Sequence, residues 1–357
     1  MKIHLSIMAR VAIGLLVVFP LLAAGNNTSS VSVACQIKTL KQDSAETREQ
    51  CLRAAKRGDA VAQDYVGVMY QFGHGVEKNK KEAIKWYKKA AEQGYPLAQF
   101  SLGMVYQDSD DARSFQEIEQ NYRESAKWLT MAAEQGYAPA QQNLGSAYYS
   151  GYGVPVDIEK AMEWYKKAAE QGLITAQTAL GGKYKDCGRI AKKKGETDKA
   201  TECFEQAIEW YKKAEAYNSI GDTYAAMGND VEAVKWYKKA AEQDKGGYYE
   251  LGLMYAEGRG VPQSDTEALK WMMGTVKDEA NALHAIGKHF LETKKDPETA
   301  AKWIKRAAEQ NHQAAAVKLF IMYEDGRGVA KDRVEAAKWR KRAIELKAIE
   351  LENENAK

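Results

Sequence analysis

Four cysteines, five histidines and a set of paired glycines are the residues of this chain whose type and spacing could do chemistry. Cys35 and Cys51 are 16 residues apart, and so are Cys187 and Cys203. Cys187 and Cys203 each lie eight residues from Gly195, inside the polar stretch KKKGETDK. If that stretch is a hairpin turn, the two thiols face one another across antiparallel helices. Cys35 and Cys51 could close an N-terminal hairpin in the same way, with Ser44 capping its second helix. Four cysteines allow three pairings, and the sequence does not choose among them. A zinc site is not expected: there is no Cys-x-x-Cys, His284 and His289 are five apart, and no HExxH occurs. Gly-x-Gly-Val begins at Gly73, Gly151, Gly258 and Gly326, but no GxGxxG or GK(S/T) is present, so these read as turns. His74 and His312 also read as turn residues. No GxSxG marks a nucleophile elbow. The acidic residues recur with a repeat and read as solvated helix faces. No catalytic, cofactor-binding or metal-binding residue is therefore expected.

The elements that carry these residues are set by a repeat. All eight tryptophans, Trp86, Trp128, Trp164, Trp210, Trp236, Trp271, Trp303 and Trp339, sit in one phrase, as in IKWYKKAAEQG and MEWYKKAAEQG. Three residues before the Trp stands Ala in seven copies and Ser125 in the other. Four residues after it stands Ala in seven copies and Thr275 in the other. Those offsets share one helical face. The face reads small, large, small, which lets a neighbouring helix approach while the indole fills the gap. Lys and Glu fall largely on the opposite, solvated side. These eight tryptophans are thus structural residues.

A second phrase precedes each Trp, running from an apolar residue and Gly to Tyr or Phe. Its glycines are Gly67, Gly103, Gly145, Gly181, Gly221, Gly252 and Gly287, and Phe320 takes the eighth place. Glycine inside a helix costs about 1 kcal/mol against Ala. Seven repetitions imply close contact with the partner helix. We call the Gly-bearing helix A and the Trp-bearing helix B. Spacing from Trp to the next Gly is nearly constant, while spacing from Gly to its own Trp varies from 15 to 29 residues. The turn between repeats is fixed and the turn inside each hairpin absorbs insertions. Eight copies of one packing unit predict an all-α solenoid.

The strings AQxxLGxxY, GxGVxxD/N and KAxxWYKKAAEQG resemble the Sel-one-like repeat (SLR) family, a relative of the tetratricopeptide repeats. The resemblance covers roughly residues 58–346, and the copy from Tyr217 to Gln243 is closer to a tetratricopeptide repeat. It implies about eight α/α hairpins stacked into a right-handed superhelix, and an adaptor or scaffold role without intrinsic chemistry. By analogy with the related repeats, helix A would line a concave groove. Residues near offsets −3, +1 and +4 from the Gly would then meet a partner: Asp64, Gln71, Phe100, Gln142, Tyr149, Asn218, Asp222, Tyr249, His284 and Lys288. Polar groups with scattered aromatics suit a protein or peptide. Some cysteine-rich SLR proteins are linked to β-lactam binding or hydrolysis, but they carry a cysteine pair in nearly every repeat, and this chain does not. A role in binding peptidoglycan, or in regulating a cell-wall enzyme, is a further alternative.

Residues 1–24 read as a secretory signal peptide: Lys2 and Arg10, an apolar run from Val11 to Ala24, then small residues. The run is shorter than the about 20 residues a membrane-spanning helix needs, so no stable span is expected after its removal. A lipid-anchored reading through Cys35 is disfavoured by its distance from the apolar run. The expected organisation is signal peptide 1–24, linker and capping helix or hairpin 25–57, eight repeats 58–346, and a polar C-terminal cap 347–357. The expected location is exported, in a periplasm or the medium, where disulfides form. The formal charge of +3 falls to +1 without Lys2 and Arg10, and so predicts no nucleic-acid partner.

Overall fold

The structure, a computed structural model, describes Cys35 and residues 45–108, 114–276 and 278–355. The expected signal peptide lies outside the described residues. The chain divides into two compact units between Leu180 and Gly181. Among the described residues there are helices and no strand. In unit 1, α1 (Ala45–Lys56) precedes three hairpins: α2 (Ala60–Phe72) with α3 (Lys80–Glu92), α4 (Pro96–Gln107) with α5 (Phe115–Glu134), and α6 (Ala138–Ser150) with α7 (Ile158–Glu170). Helix α8 (Ile174–Lys194) crosses the division. In unit 2 it is followed by α9 (Thr197–Lys213), α10 (Tyr217–Met227) with α11 (Asp230–Glu242), and α12 (Tyr248–Glu257) with α13 (Asp265–Val276). The last two hairpins are α14 (Glu279–Glu292) with α15 (Pro297–Glu309), and α16 (Gln313–Asp325) with α17 (Arg333–Asn355). Helix α17 runs unbroken past residue 347 into the polar C-terminal segment.

Local chemistry starts and stops these helices. Asn79, Asp157, Asn229, Asp278 and Asp296 cap helix N-termini, each side chain accepting a backbone N–H. Helices α2, α6, α12 and α16 stop on the left-handed first glycine of each Gly-x-Gly. The second glycine has a different duty. At Gly153, Gly260 and Gly328 φ is about +70°, and the carbonyls of Tyr122, Asp230 and Pro297, in the preceding hairpin, occupy the place a β-carbon would take. Turns from helix B to the next helix A likewise use left-handed residues: Gly94, Gly136, Gly172, Glu215 or Asn311 singly, and Asp244 together with Gly246 and Gly247.

Inside each hairpin the two helices touch at the glycine. The large residue that fills the contact is the one after the tryptophan, not the tryptophan itself. A β-carbon on Gly67, Gly103, Gly181, Gly221, Gly252 or Gly287 would meet the side chain of Tyr87, Leu129, Tyr211, Tyr237, Met272 or Ile304 within about 3.2 Å. This departs from the expected indole-filled gap, and helical geometry explains it. One residue is about 100° around the helix, so Trp points sideways. Trp128 lies in one cluster with Ala83, Tyr87 and Ala90 of the preceding hairpin. Trp164 and Trp271 pack against clusters that include Leu129 and Tyr237 of the preceding hairpins. Trp128, Trp210, Trp303 and Trp339 are buried, while Trp86, Trp164, Trp236 and Trp271 are half-buried. Lys89, Lys167 and Lys213 place their ammonium groups 4.0–4.2 Å from the centres of Trp86, Trp164 and Trp210, covering the outer ring face. In the last hairpin the bulk has changed sides: Phe320 replaces the glycine, and exposed Arg340 follows Trp339.

The cysteines pair as Cys35–Cys51 and Cys187–Cys203. The second bond joins α8 to α9 within unit 2. Phe204 lies against Gly188 beside it.

Candidate functional site

The A helices carry the ten residues expected to meet a partner, and their surroundings separate them. In unit 1 most are committed internally. Asp64 does not reach the surface: it is only 6% exposed, held between α2 and the neighbouring α4. Ser101 donates to its carboxyl, yet Oδ1 has no hydrogen-bond partner. Burial pushes the group up to about 7, against the opposing effect of the Ser101 bond. Gln71 accepts from the Tyr87 hydroxyl at 2.6 Å. Gln142 accepts from Thr175 at 2.7 Å. Phe100 meets Tyr137 edge to face, with centroids 5.3 Å apart. Tyr149 is half-buried.

Unit 2 presents more of its share. Asp222 is engaged, accepting from the Tyr237 hydroxyl at 2.9 Å and pairing with Lys185 at 3.4 Å. Asn218 is half-buried beside Gly246, and its Oδ1 has no partner. Tyr249 and Lys288 are exposed. His284 packs against His312 with the rings tilted and their centroids 4.4 Å apart. His312 caps α16: the Ala315 N–H donates to its Nδ1, so Nε2 carries the hydrogen and donates to Asn281. Burial, then the neighbouring His312, Lys288 and Lys318, hold His284 down to about 4. It is therefore neutral at physiological pH. Tyr249, His284 and Lys288 thus form a mixed aromatic, imidazole and cationic patch on α12 and α14. Among the described residues, no cluster of three or more His, Cys, Asp or Glu could hold a metal ion.

Two polar systems escaped the sequence reading. The first is a glutamine relay through unit 1. Gln93 donates to Gln63 at 2.7 Å, and Gln63 donates to the carbonyl of Ala55 at 3.1 Å. Gln135, Gln99 and Ala91 repeat the arrangement, and so do Gln171, Gln141 and Ala133. Each relay ties both helices of a hairpin to the preceding helix. Gln177 donates to Ala169, but its Oε1 has no partner, and the next helix B ends in Lys-Ala-Glu without a glutamine. The signal was present in the repeated AQ and EQG pairs. The second system is on the loop edge of unit 2. Buried Glu257 receives His289 at 2.5 Å and Lys294 at 2.6 Å. Burial raises the Glu257 carboxyl, and these partners outweigh it, leaving it below the usual range. Nothing in the repeat pattern marks that cluster, because its members come from the ends of two helices, α12 and α14, and from the loop after α14.

The Sel1 repeat matches residues 60–95, 96–137, 138–173, 246–272, 280–312 and 313–347, more than half of the chain. A tetratricopeptide repeat matches residues 188–213 and 214–246. The chain is 37% identical over 71 residues to the chitin synthase regulator SKT5 of Saccharomyces cerevisiae, covering 19% of this chain and 10% of that one. It is 44% identical over 52 residues to an F-box protein of Arabidopsis thaliana, covering 15% and 14%. The similarity therefore spans about a tenth to a seventh of those relatives. Among solved structures, a Sel1 repeat protein from Oxalobacter formigenes is 24% identical with a TM-score of 0.51, covering 94% of this chain and 95% of that one. A protective antigen of uropathogenic Escherichia coli with an SLR fold is 27% identical with a TM-score of 0.43, covering 88% and 74%.

Proposed function

The chain belongs to the Sel1 repeat family, and from that premise we propose that it is an exported scaffold which binds a protein or peptide on its A-helix face and performs no chemistry itself. Sel1 repeat proteins are generally protein-interaction scaffolds. The observation that carries the reading is the exposed patch of Tyr249 and Lys288 beside the His284–His312 pair, on helices whose opposite sides are spent on packing. Export is supported by the leader-like start of the sequence and by two disulfides, which persist in oxidising compartments. All four cysteines are paired, which leaves no thiol nucleophile. No described helix is long and apolar enough to cross a membrane.

The test is capture from the host's envelope and medium with the tagged chain and with a Tyr249→Glu, Lys288→Glu variant. Both sites are exposed, so the variant keeps its fold. One protein retained in near-equal amount by the parent and lost by the variant is the expected result. Retention of cell-wall fragments alone, or retention that the variant does not reduce, would overturn the assignment of this face.

A further inference from the structure

In four hairpins the residue after the helix-B tryptophan is tyrosine: Tyr87, Tyr165, Tyr211 and Tyr237. Each ring lies against the glycine of its helix A. Three of the hydroxyls are satisfied on that helix. Tyr87 donates to Gln71 at 2.6 Å, Tyr237 donates to Asp222 at 2.9 Å, and Tyr165 shares a hydrogen bond with Ser146 at 2.9 Å. Ser146 and Asp222 each stand one place after the glycine, and Gln71 stands four places after it. In the fourth hairpin those places hold Gly182 and Lys185. Gly182 has no side chain to offer, and Lys185 is a donor that pairs with Asp222 at 3.4 Å. Tyr211 is only 3% exposed, yet among the described residues its hydroxyl has no hydrogen-bond partner.

Gly182 is not required by packing. A β-carbon there would meet the Tyr211 hydroxyl at 3.6 Å, an ordinary contact, and no other neighbour within 4 Å. Glycine inside a helix weakens it relative to alanine. Its remaining use is to let a group from outside come close to the helix backbone. The hydroxyl that faces this bare place is a donor. Burial, then the carboxylates of Asp222 and Asp186, push it up to about 12 against the opposing effect of Arg189, so it keeps its proton at neutral pH. Arg189 lies two turns beyond Gly182 on the same face of α8, is exposed, and forms no ion pair among the described residues. From Lys183 to Lys194 this helix carries six basic residues and one acid, Asp186. A donor without an acceptor, beside an excess of positive charge, selects an anionic acceptor.

We propose that the partner bound on the A-helix face is an acidic peptide segment, one of whose carboxylates docks on α8 at Gly182, where the Tyr211 hydroxyl donates to it and Arg189 offsets its charge. The inference rests on the scaffold reading and names the chemistry of the partner. The missing β-carbon gives the carboxylate access to the hydroxyl. The same omission weakens the helix when no partner is bound, the usual opposition between stability and function at a binding site. A hydrogen bond from a neutral hydroxyl to a carboxylate is stronger than one between neutral groups, so a single contact of this kind discriminates acid from amide.

Selection of a random-peptide phage library on the immobilised full chain supplies the probes. Enriched peptides are expected to carry Asp or Glu, and a synthetic copy with that acid changed to its amide should bind less well. Tyr211→Phe removes only the hydroxyl and should weaken binding of the acidic peptide about tenfold. Arg189→Glu should weaken it too. Gly182→Ser should do the same, because the added hydroxyl occupies Tyr211 as Ser146 occupies Tyr165. Gly182→Ala should weaken binding while its urea midpoint rises, a combination that loss of fold does not produce. Absence of enrichment, enriched peptides without acids, or binding indifferent to Tyr211→Phe and Gly182→Ser overturns the proposal. Peptides lost by the Tyr249→Glu, Lys288→Glu variant but indifferent to Gly182→Ser overturn the α8 contact and leave the Tyr249 patch standing. The converse pattern supports the α8 contact and removes the patch.

Discussion

The ring of Tyr211 stands 2.8 Å from where a β-carbon on Gly181 would be, while one residue on, at Gly182, the nearest outside atom to such a carbon is the Tyr211 hydroxyl at 3.6 Å. Adjacent glycines in one helix therefore have opposite reasons to exist. Gly181 is required by contact, whereas Gly182 only weakens its helix. Gly181→Ala should destabilise unit 2 by about 1–3 kcal/mol, because overpacking outweighs the gain in helix propensity. Gly182→Ala should stabilise it by up to about 1 kcal/mol. Urea unfolding of the two variants separates them, and equal midpoints would show that the hairpin contact has been placed wrongly.

Left-handed glycines divide in a similar way. Gly172 has φ of +84° with nothing within 4 Å of its β-position, so Gly172→Ala meets only the backbone penalty of about 1 kcal/mol. Gly153 has φ of +72°, and there the Tyr122 carbonyl fills the space. Gly153→Ala must also move one hairpin away from another, and should cost at least about 2 kcal/mol more. Thermal melts of both variants, run side by side, measure the difference.

Asp64 gives unit 1 a pH dependence. Its folded value, about 7, lies above the 3.8 of an ordinary aspartate. The folded state therefore binds the proton more tightly than the unfolded state. The associated stability is complete below about 3.8 and is lost as pH rises from there to about 7. The full loss is on the order of 4 kcal/mol by pH 9. Asp64→Asn keeps the shape without the charge. Its melting temperature should exceed the parent's most at pH 7 and above, with the gap narrowing below that and closing only below about pH 4. A gap that stays constant with pH would show that Asp64 is ionised and satisfied in the folded chain.

The tryptophans should differ among themselves. Trp128, 7% exposed and clustered with Ala83 and Tyr87, should cost about 3–5 kcal/mol on replacement by Ala. Trp164 is half-buried, and Lys167 rather than protein core covers its outer face, so Trp164→Ala should cost less. Chemical denaturation of both variants gives the order, and a reversed order would sink the sideways packing assigned to the indoles.

Much of this fold was legible because the repeat samples one packing problem eight times. Trp, Ala and Gly fell into register, and their offsets located both helices of each hairpin. What the offsets could not show was which large residue met the glycine. Trp and its successor differ by a single position, and only the crossing of two helices decides between them. The A-face positions were legible as positions, not as environments. Asp64 and Tyr249 occupy equivalent places, three residues before the glycine, yet one is sealed beneath α4 and the other is open. Burial there depends on the side chains of the adjacent helix, which vary from copy to copy. The ion cluster at Glu257 joins residues far apart in the chain and has no period to betray it.

The glutamine relay also bears on how such a chain can grow. Gln63, Gln99 and Gln141 each find their acceptor on the helix before them and their donor within their own hairpin. A segment carrying both glutamines is a cassette with matching plug and socket. Duplicating or deleting one such cassette in unit 1 leaves every remaining junction with the same connector. Beyond Gln177 the fittings no longer match, so gain or loss of a hairpin there would demand a newly cut joint. Length variation among close relatives of this chain should therefore accumulate in the first three hairpins.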